Sequence, residues 1–255
     1  MDSVEVPPRL IITGGASGIG AAVARLWADS GAHVGIIVRS EESIHRALRA
    51  ELRDRQDSLE FHVADVADEG AVAVAVDTLA TRLGGLDAVV ASAGIEGEMG
   101  AALGEVTSEN FRRVLDVNVL GVFHLVKHAV PHLIRAADPS ITLIGSDSGF
   151  VAAKGMLAYN ASKGALAQLT RALAVELFDD CGIRVNSVCP SIADTPMARR
   201  GMGIDSFDDI DEFPVNSADD IAWTVSYLAS ARSRAINGVN LLSDFGYSGR
   251  SSFPA

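Results

Sequence analysis

The stretch "TGGASGIG", Thr13 to Gly20, stands between the apolar run "RLII" and a helical pattern that begins near residue 18. Glycine has no Cβ, so Gly14, Gly18 and Gly20 allow a tight turn in which backbone amides approach a bound group closely. The N-terminus of the following helix favours negative charge, as a pyrophosphate would supply. A glycine-rich loop is weak evidence by itself, but one between a first strand and a first helix predicts a dinucleotide site.

Short apolar runs alternate with longer helical patterns along the chain. The strand-like runs cover 9–14, 33–38, 59–65, 86–94, 140–146, 183–190 and 238–244, and the helical patterns cover 18–30, 41–54, 68–83, 107–136, 158–178 and 217–229. Near-continuous Val, Ile and Leu in the runs is typical of parallel strands buried on both faces. The sequence therefore predicts an α/β fold: a single doubly wound Rossmann-type domain over residues 1–255, with about seven parallel strands and helices on both faces.

Composition and charge exclude several classes of protein. The 255 residues carry 33 acidic and 21 basic side chains, a net charge of −12, which argues against nucleic acid or an anionic membrane as the main partner. The N-terminal residues lack the apolar core of a secretory signal, and no run of about 18 apolar residues predicts a membrane span. Cys181 and Cys189 have no metal-type spacing, so we expect reduced thiols in a cytoplasmic protein.

The stretch "AYNASK", Ala158 to Lys163, places a phenol and an ammonium four residues apart on a predicted helix. Side chains at i and i+4 lie on one helix face, and a nearby positive charge favours the phenolate of Tyr159. The pair can therefore form a general acid/base, but Tyr-x-x-x-Lys alone is a weak motif. The rest of the chain decides between chemistry and packing.

Four motifs together make the chain similar to the short-chain dehydrogenase/reductase family over nearly its whole length. The glycine loop at 13–20 has that family's Thr-Gly-x-x-x-Gly-x-Gly spacing, and "NVLG" at 118–121 resembles its Asn-x-x-Gly segment. "IGSDSG" at 144–149 resembles its serine strand, with Ser146 thirteen residues before Tyr159. The set is highly specific, and it favours chemistry for the Tyr-Lys pair.

The resemblance implies a catalytic role for four residues. Tyr159 protonates the carbonyl oxygen as hydride arrives, or removes the hydroxyl proton in the reverse direction. Lys163 holds the nicotinamide ribose and lowers the pKa of Tyr159 through charge proximity. Ser146 hydrogen-bonds the substrate oxygen, and Asn118 anchors a water that connects Lys163 to solvent.

The resemblance also implies which residues contact the cofactor. They lie after the strands of the predicted sheet: Gly14, Ser17, Gly18, Ile19, Gly20, Arg39, Ser40, Asp65, Val66, Ser92, Ala93, Gly94, Pro190, Ile192 and Thr195, together with Tyr159 and Lys163. Thr195 is expected at the nicotinamide carboxamide.

The end of the second strand indicates the cofactor type. NAD-dependent relatives carry an acidic residue there, which hydrogen-bonds the ribose hydroxyls, but this chain has Val38. The next residue is Arg39, whose guanidinium can bind a 2′-phosphate bidentately, and Ser40 can add a hydrogen bond. Glutamates at 41–42 lie nearby, and Ser17 stands where some NADP enzymes have a second basic residue. We expect NADP(H) to be preferred over NAD(H).

Three positions depart from the family pattern. Ser92 replaces the second asparagine of Asn-Asn-Ala-Gly, Ser191 replaces the glycine of Pro-Gly, and Phe245 replaces a glycine after the last strand. For Ser92 we expect a small change in local stability or cofactor affinity rather than loss of function, whereas Phe245 adds bulk whose effect the sequence leaves open.

Two further features are weighed against a site. His124, His128 and His132 recur every four residues, but the third lies too far along the helix to join a metal with the first two, so no metal is expected. In the family this helix and the one carrying Tyr159 form a contact between subunits, so a homotetramer is the default expectation and a dimer comes next.

Asp147 adjoins Ser146, and strand alternation points it to the opposite face, so it is left out of the site.

The substrate is expected under a segment at about 197–216, where glycines, methionines and Phe207 indicate a mobile apolar lid. Residues 147–158 and the loop "IEGEM" at 95–99 should also contribute. The lid is rich in carboxylates, namely Asp205, Asp208, Asp209, Asp211 and Glu212. The negative electrostatic field of these carboxylates would disfavour anionic substrates. An acidic loop that faces solvent and points away from the pocket is an equal alternative.

Three functions remain open. The first is an NAD(P)-dependent oxidoreductase that interconverts a secondary alcohol and a ketone on a small to medium, uncharged, apolar molecule. The second is a ketoreductase for 3-oxoacyl groups on an acyl carrier protein, which is disfavoured because Asp179 and Asp180 would repel an acidic carrier. The third is a catalytically silent dinucleotide sensor, which has no need of an intact Asn-Ser-Tyr-Lys set.

Overall fold

The computed structural model describes residues 8–50, 52–210 and 212–250. The described chain contains seven strands: β1 (Arg9–Thr13), β2 (His33–Val38), β3 (Leu59–Val63), β4 (Ala88–Ala91), β5 (Ser140–Ile144), β6 (Arg184–Pro190) and β7 (Asn240–Ser243). They form one sheet in the order β3-β2-β1-β4-β5-β6-β7, with every neighbouring pair parallel. The predicted α/β, doubly wound architecture is confirmed.

Helices connect the strands and cover the sheet. They are α1 (Gly18–Asp29), α2 (Glu41–Arg49), α3 (Glu69–Arg82), α4 (Ser108–Leu115), α5 (Gly121–Leu133), α6 (Leu157–Cys181), α7 (Pro196–Met202) and α8 (Ala218–Ala229). Side chains alternate across a strand. Ile11 of β1 therefore packs with α3, α5 and α6 on one face, while Leu10 and Ile12 pack with α1, α2 and α8 on the other.

Helix ends follow their capping residues. Ser217 caps α8 in a full capping box, because its hydroxyl accepts from the Asp220 amide and its own amide donates to the Asp220 carboxylate. Asp68 and Thr107 cap α3 and α4 in the simpler way. At the other end of the longest helix, α6 stops where Gly182 adopts φ 69°.

A π-helical turn, Asp116–Leu120, joins α4 to α5. The continuous helical stretch Ser108–Leu133 is long and apolar enough, by length and composition alone, to cross a membrane. Its apolar side chains are instead used in the core, where Val122, Leu125 and Ala129 pack against the sheet and α3.

The observed elements differ from the predicted ones at several places; the strand predicted at 140–146, for example, ends at Ile144. The second helix ends at Arg49 rather than at residue 54. The segment expected to begin a lid at residue 197 forms the short helix α7, which starts at Pro196. Asp211, counted among the lid carboxylates, lies outside the described residues.

Candidate active site

The glycine loop between β1 and α1 has the geometry of a backbone cradle. Gly14 has φ 71°, and a Cβ there would lie 2.8 Å from the backbone of Ala93. Gly18 has φ 53°, and a Cβ on Gly20 would collide with the carbonyl oxygen of Gly14. Ser17 precedes α1 in extended conformation, and the first turn of α1 has no acidic residue. This N-terminus therefore suits an anionic pyrophosphate.

The carboxyl ends of β1, β4 and β6 meet at this loop. The amide of Ala93 donates to Thr13 Oγ1 at 3.3 Å, next to Ser92 and Gly94 at the end of β4. A Cβ on Gly18 would lie 3.1 Å from Thr195 Cγ2. Pro190 ends β6, and the Ile192 carbonyl accepts from the Asn216 amide at 2.9 Å. The structure thus brings the residues expected around the nicotinamide and pyrophosphate to one edge of the sheet.

The residues expected around the adenosine follow β2 and β3. Val38 ends β2 and is buried, Arg39 is exposed, and the Ser40 hydroxyl caps α2 by accepting from the Ser43 amide at 3.4 Å. Within the described residues Arg39 takes part in no ion pair. Asp65 is exposed and its Oδ1 accepts from the Ala67 amide at 3.0 Å, while Val66 is buried.

Asn118 lies in the π-helical turn and ties three segments together. Its Oδ1 accepts from the Ile95 amide at 2.8 Å, and its Nδ2 donates to the Ile95 carbonyl at 2.9 Å and to Ser162 Oγ at 3.0 Å. Gly121 of the same motif is needed because a Cβ there would lie 2.7 Å from Val66 Cγ2. Asn118 therefore holds the loop after β4 against α6 at Ser162, the residue that precedes Lys163.

Ser146 follows β5 and is buried. Its Oγ accepts from the Ser148 amide at 3.1 Å and donates to Asp147 Oδ1 at 3.0 Å. It also interacts with the Tyr159 hydroxyl. Gly145 allows β5 and β6 to approach closely at this point, because a Cβ on it would lie 2.6 Å from Cys189 Sγ.

Tyr159 and Lys163 lie one turn apart at the start of α6. Lys163 is buried, its Nζ donates to the Ile144 carbonyl at 2.9 Å, and Nζ lies 5.4 Å from the centroid of the Tyr159 ring. Burial lowers the pKa of Lys163 to about 8. The structure therefore brings Ser146, Tyr159, Lys163 and Asn118 together, as the motifs predict.

The acidity of Tyr159 differs from the expectation. Although part of its side chain is accessible, desolvation raises the pKa of Tyr159 to about 12, and the Ser146 hydrogen bond opposes this only partly. The Lys163 ammonium lies near the ring and is bonded to the Ile144 carbonyl. Burial therefore dominates the pKa of Tyr159, and the group that lowers this pKa is Ser146 rather than Lys163.

Asp147 bonds Ser146 at 3.0 Å, so the prediction that it points to the opposite face was wrong. Strand β5 ends at Ile144, and residues 147–149 form a 3₁₀ turn capped by Ser146, so strand alternation no longer applies. Burial raises the pKa of Asp147, and its charge raises the pKa of Tyr159. The run "SDSG" is rich in turn residues and could have indicated the end of the strand.

Two departures from the family pattern have visible roles. Ser191 Oγ accepts from Asn216 Nδ2 at 3.3 Å, and the same Nδ2 donates to the Ser243 carbonyl at 2.9 Å, which joins the ends of β6 and β7. Phe245 has φ 54° with an exposed ring, so it holds the left-handed conformation that favours glycine. Ser92, the third, makes no side-chain hydrogen bond among the described residues.

The histidine row faces α3. His128 Nε2 lies 3.2 Å from Glu69 Oε1, His132 Nε2 lies 2.8 Å from Asp77 Oδ1, and His124 Nδ1 bonds the Val66 carbonyl at 3.0 Å. Each ring therefore has its own partner. In the described part of the chain no cluster of three such groups could hold a metal ion.

The predicted lid is anchored at its start. Arg199 forms a bidentate pair with Asp194, at 2.6 and 2.9 Å, and Arg200 lies 3.3 Å from Glu96 in the loop after β4. Phe207 is buried, so it anchors the segment instead of presenting an exposed apolar surface. The carboxylates of Asp205, Asp208, Asp209 and Glu212 are on exposed residues.

Comparisons with known proteins agree with this geometry. A family model described as enoyl-(acyl carrier protein) reductase matches residues 14–248. Momilactone A synthase of Oryza sativa subsp. japonica is 40% identical over 248 residues, which cover 93% of this chain and 89% of the relative. Cis-4-hydroxycyclohexanecarboxylate dehydrogenase of Sinomonas cyclohexanicum is 36% identical, covering 93% and 95%.

Among solved structures, ElxO with NADP bound superposes with a TM-score of 0.85 at 30% identity, covering 95% of this chain and 99% of that one. These likenesses extend over the sheet, the glycine loop and α6. The chain belongs to the short-chain dehydrogenase/reductase family, whose members are oxidoreductases of alcohol and carbonyl groups.

Proposed function

We propose that the protein is an NADP(H)-preferring enzyme that interconverts a secondary alcohol and a ketone on a small to medium, uncharged, apolar molecule. Tyr159 is its general acid/base. The observation that carries the proposal is the convergence of Ser146, Tyr159 and Lys163 beside a glycine loop suited to pyrophosphate.

Tyr159, Ser146 and Lys163 have separate roles in the reaction. A nicotinamide cofactor held by the glycine loop would supply the hydride for the carbonyl carbon. Tyr159 donates its phenolic proton to the carbonyl oxygen, and Ser146 donates a hydrogen bond to the same oxygen. Lys163, whose Nζ donates to the Ile144 carbonyl, keeps a positive charge near the site and would hold the ribose of the cofactor.

The buried phenol favours reduction near neutral pH. With a pKa of about 12, Tyr159 is protonated over the physiological range and ready to donate. Oxidation of an alcohol requires the phenolate, so its rate should rise with pH well beyond neutrality.

The activity is tested by incubating the purified protein with NADPH and a panel of ketones while following nicotinamide absorbance. Turnover that is lost in Tyr159→Phe supports the proposal. Tight NADPH binding without turnover of any ketone would favour a dinucleotide sensor instead.

The cofactor proposal rests on Val38 and Arg39 at the end of β2, and ElxO, which was solved with NADP bound, supports it by likeness. The test compares kcat/KM for NADPH and NADH in the wild type and in Val38→Asp/Arg39→Ala. Arg49→Ala is the matched control, because it removes an exposed arginine of α2 away from the strand end. A native preference for NADH, or no shift in the double variant, would reject a phosphate-reading role for Arg39.

Substrate charge can be tested with matched molecules. The carboxylates around the lid, together with Glu96 and Asp147, favour neutral over anionic substrates. The Sinomonas relative is named for an alcohol that carries a carboxylate. Comparing cis-4-hydroxycyclohexanecarboxylate with cis-4-methylcyclohexanol therefore decides the point, since a preference for the former would reject a neutral substrate.

A carrier-bound acyl group is the second candidate, because the matching family model is described as enoyl-(acyl carrier protein) reductase. The end of α6 opposes it, since Asp179 and Asp180 are exposed where an acidic carrier would dock. Faster turnover of a 3-oxoacyl carrier protein than of its free thioester analogue would favour this candidate.

We also propose a homotetramer in the cytoplasm. Two sets of exposed apolar side chains suit two different subunit contacts: Leu120, Phe123, Val175 and Phe178 on the α5 and α6 side, and Trp223, Tyr227, Leu242, Phe245 and Tyr247 on the α8 and β7 side. Both cysteines are free thiols, which fits a reducing compartment.

A further inference from the structure

The Ser146 hydroxyl directs its one hydrogen bond to Asp147 in this structure. A serine hydroxyl has one hydrogen to donate, and Ser146 Oγ donates it to Asp147 Oδ1 at 3.0 Å. The Ser148 amide donates to Ser146 Oγ at 3.1 Å, so that contact uses Ser146 as an acceptor. While the serine proton is directed to Asp147, the Tyr159 hydroxyl can bond Ser146 only by donating to it. Ser148 Oγ lies 3.5 Å from the same Asp147 oxygen, so the turn holds the carboxyl group in place.

This arrangement competes with the role of Ser146 in the proposed function. A hydrogen bond to an ionised carboxylate is roughly twice as strong as one between neutral groups. While Asp147 is ionised, the Ser146 proton is therefore directed to Asp147 and away from a substrate oxygen. When Asp147 is protonated, its own O–H can donate to Ser146 Oγ, which frees the serine proton for the substrate.

Charged groups surround Asp147 and Tyr159 on several elements. Asp244, after β7, acts on Asp147 and raises its pKa, in the same direction as burial. Glu96, Cys189 and Asp147 act on Tyr159, and all raise its pKa. The nearby cations are Lys163, bonded to the Ile144 carbonyl, and Arg200, paired with Glu96. Asp147 is distinguished from the other acids because it also bonds Ser146 directly.

We propose that Asp147 is a positioning residue that draws the Ser146 hydroxyl proton to its own carboxylate and so withholds that hydrogen bond from the Tyr159 phenolate and the substrate oxygen. The functional meaning of this hydrogen-bond direction rests on the proposed function, but its effect on Tyr159 can be measured without any turnover. With Asp147 present, reduction of the ketone is favoured, and oxidation of the alcohol requires a higher pH than it would without this residue.

The test uses protein labelled with ¹³C at the tyrosine Cζ, with saturating NADP⁺. The chain has three tyrosines, so the signal that is absent from Tyr159→Phe reports Tyr159 alone. In Asp147→Asn this signal should move toward the phenolate position at a pH roughly 0.5 unit or more below that of the wild type. Asp147→Glu keeps the charge and should stay close to the wild type.

Controls separate a local effect from a general one. Asp180→Asn removes an exposed charge at the end of α6 and should leave the Tyr159 signal unchanged. Asp147→Ser serves as a second neutral variant if Asp147→Asn fails to fold. An unchanged Tyr159 titration in a folded neutral variant overturns the proposal.

The kinetic measurement is separate from the spectroscopic one. With any alcohol that the enzyme oxidises, the acid limb of the kcat profile should shift to lower pH in Asp147→Asn by the amount seen in the spectrum. If no substrate is turned over, the proposed function fails while the labelled tyrosine still decides the role of Asp147.

Discussion

Replacing Tyr159 by Phe removes one oxygen and leaves the shape of the site. We expect kcat to fall by several orders of magnitude with little change in NADPH affinity, because proton transfer is lost while the dinucleotide cradle stays intact. Steady-state kinetics and NADPH fluorescence titration measure the two quantities. A variant with more than about a tenth of native activity would mean that Tyr159 is not the acid/base.

Lys163 is a buried cation that costs stability. Its pKa falls from 10.5 to about 8, so the folded state binds this proton more weakly than the unfolded state does. The penalty is fully present below about pH 8 and disappears as the pH rises toward 10.5. Lys163→Met should therefore raise Tm at neutral pH, by roughly 2–4 °C for each kcal/mol recovered, while abolishing turnover.

The pH series for Lys163→Met provides its own control. The Tm advantage of the variant should narrow between about pH 8 and 10 as wild-type Lys163 loses its proton. An advantage that is constant across this range would point to packing instead of charge.

Phe245 holds a backbone conformation that glycine adopts without strain. Phe245→Gly should raise the free energy of unfolding by roughly 0.5–1 kcal/mol, because the relief at φ 54° exceeds the entropy that glycine adds to the unfolded chain. Phe245→Ala is the matched control, since it removes the ring and keeps the strained φ. Chemical denaturation compares them, and equal stabilities would show that the backbone is not strained.

At the scale of single residues, the motifs shared with the family predicted which side chains of the candidate site lie together. Tyr159 and Lys163 are one helical turn apart, and Ser146 and Asn118 were recognised from local motifs, so no long-range knowledge was needed. Asp147 was missed because its direction depends on where β5 ends, at Ile144. The acidity of Tyr159 was missed because desolvation comes from distant parts of the chain that pack around it.

The cap of α8 offers a test at the scale of an element. Ser217→Ala removes the hydroxyl that accepts from the Asp220 amide and should lower the free energy of unfolding by about 1 kcal/mol. Ser217→Thr keeps a capping hydroxyl and should lose much less. Urea denaturation measures both, and an alanine variant as stable as the wild type would contradict a stabilising capping box.

The strands were predictable as elements, but one helix was not. Seven apolar runs gave all the observed strands, because parallel strands buried on both faces are continuous in Val, Ile and Leu. Helix α7 has only seven residues, too few to show an apolar period. Its signals were the cap Thr195, Pro196 in the first turn and Gly203 after the end.

The two exposed apolar sets give a prediction for the whole molecule. We expect a tetramer by light scattering, and a dimer when either Val175→Glu or Trp223→Glu places a charge in one set. Exposed Val74 of α3 provides the control, because Val74→Glu should leave the assembly unchanged. A monomeric wild type would contradict the proposal.

The sheet order has a consequence for the growing chain. Strand β1 lies between β2 and β4, and its pairing with Ala88–Ala91 joins segments that are far apart in sequence. During synthesis, one edge of β1 has no partner until β4 leaves the ribosome, although β2 and β3 are already available. Such non-local pairing folds slowly and exposes apolar strands to aggregation. We therefore expect the nascent chain to be prone to aggregation in the interval between synthesis of β3 and of β4.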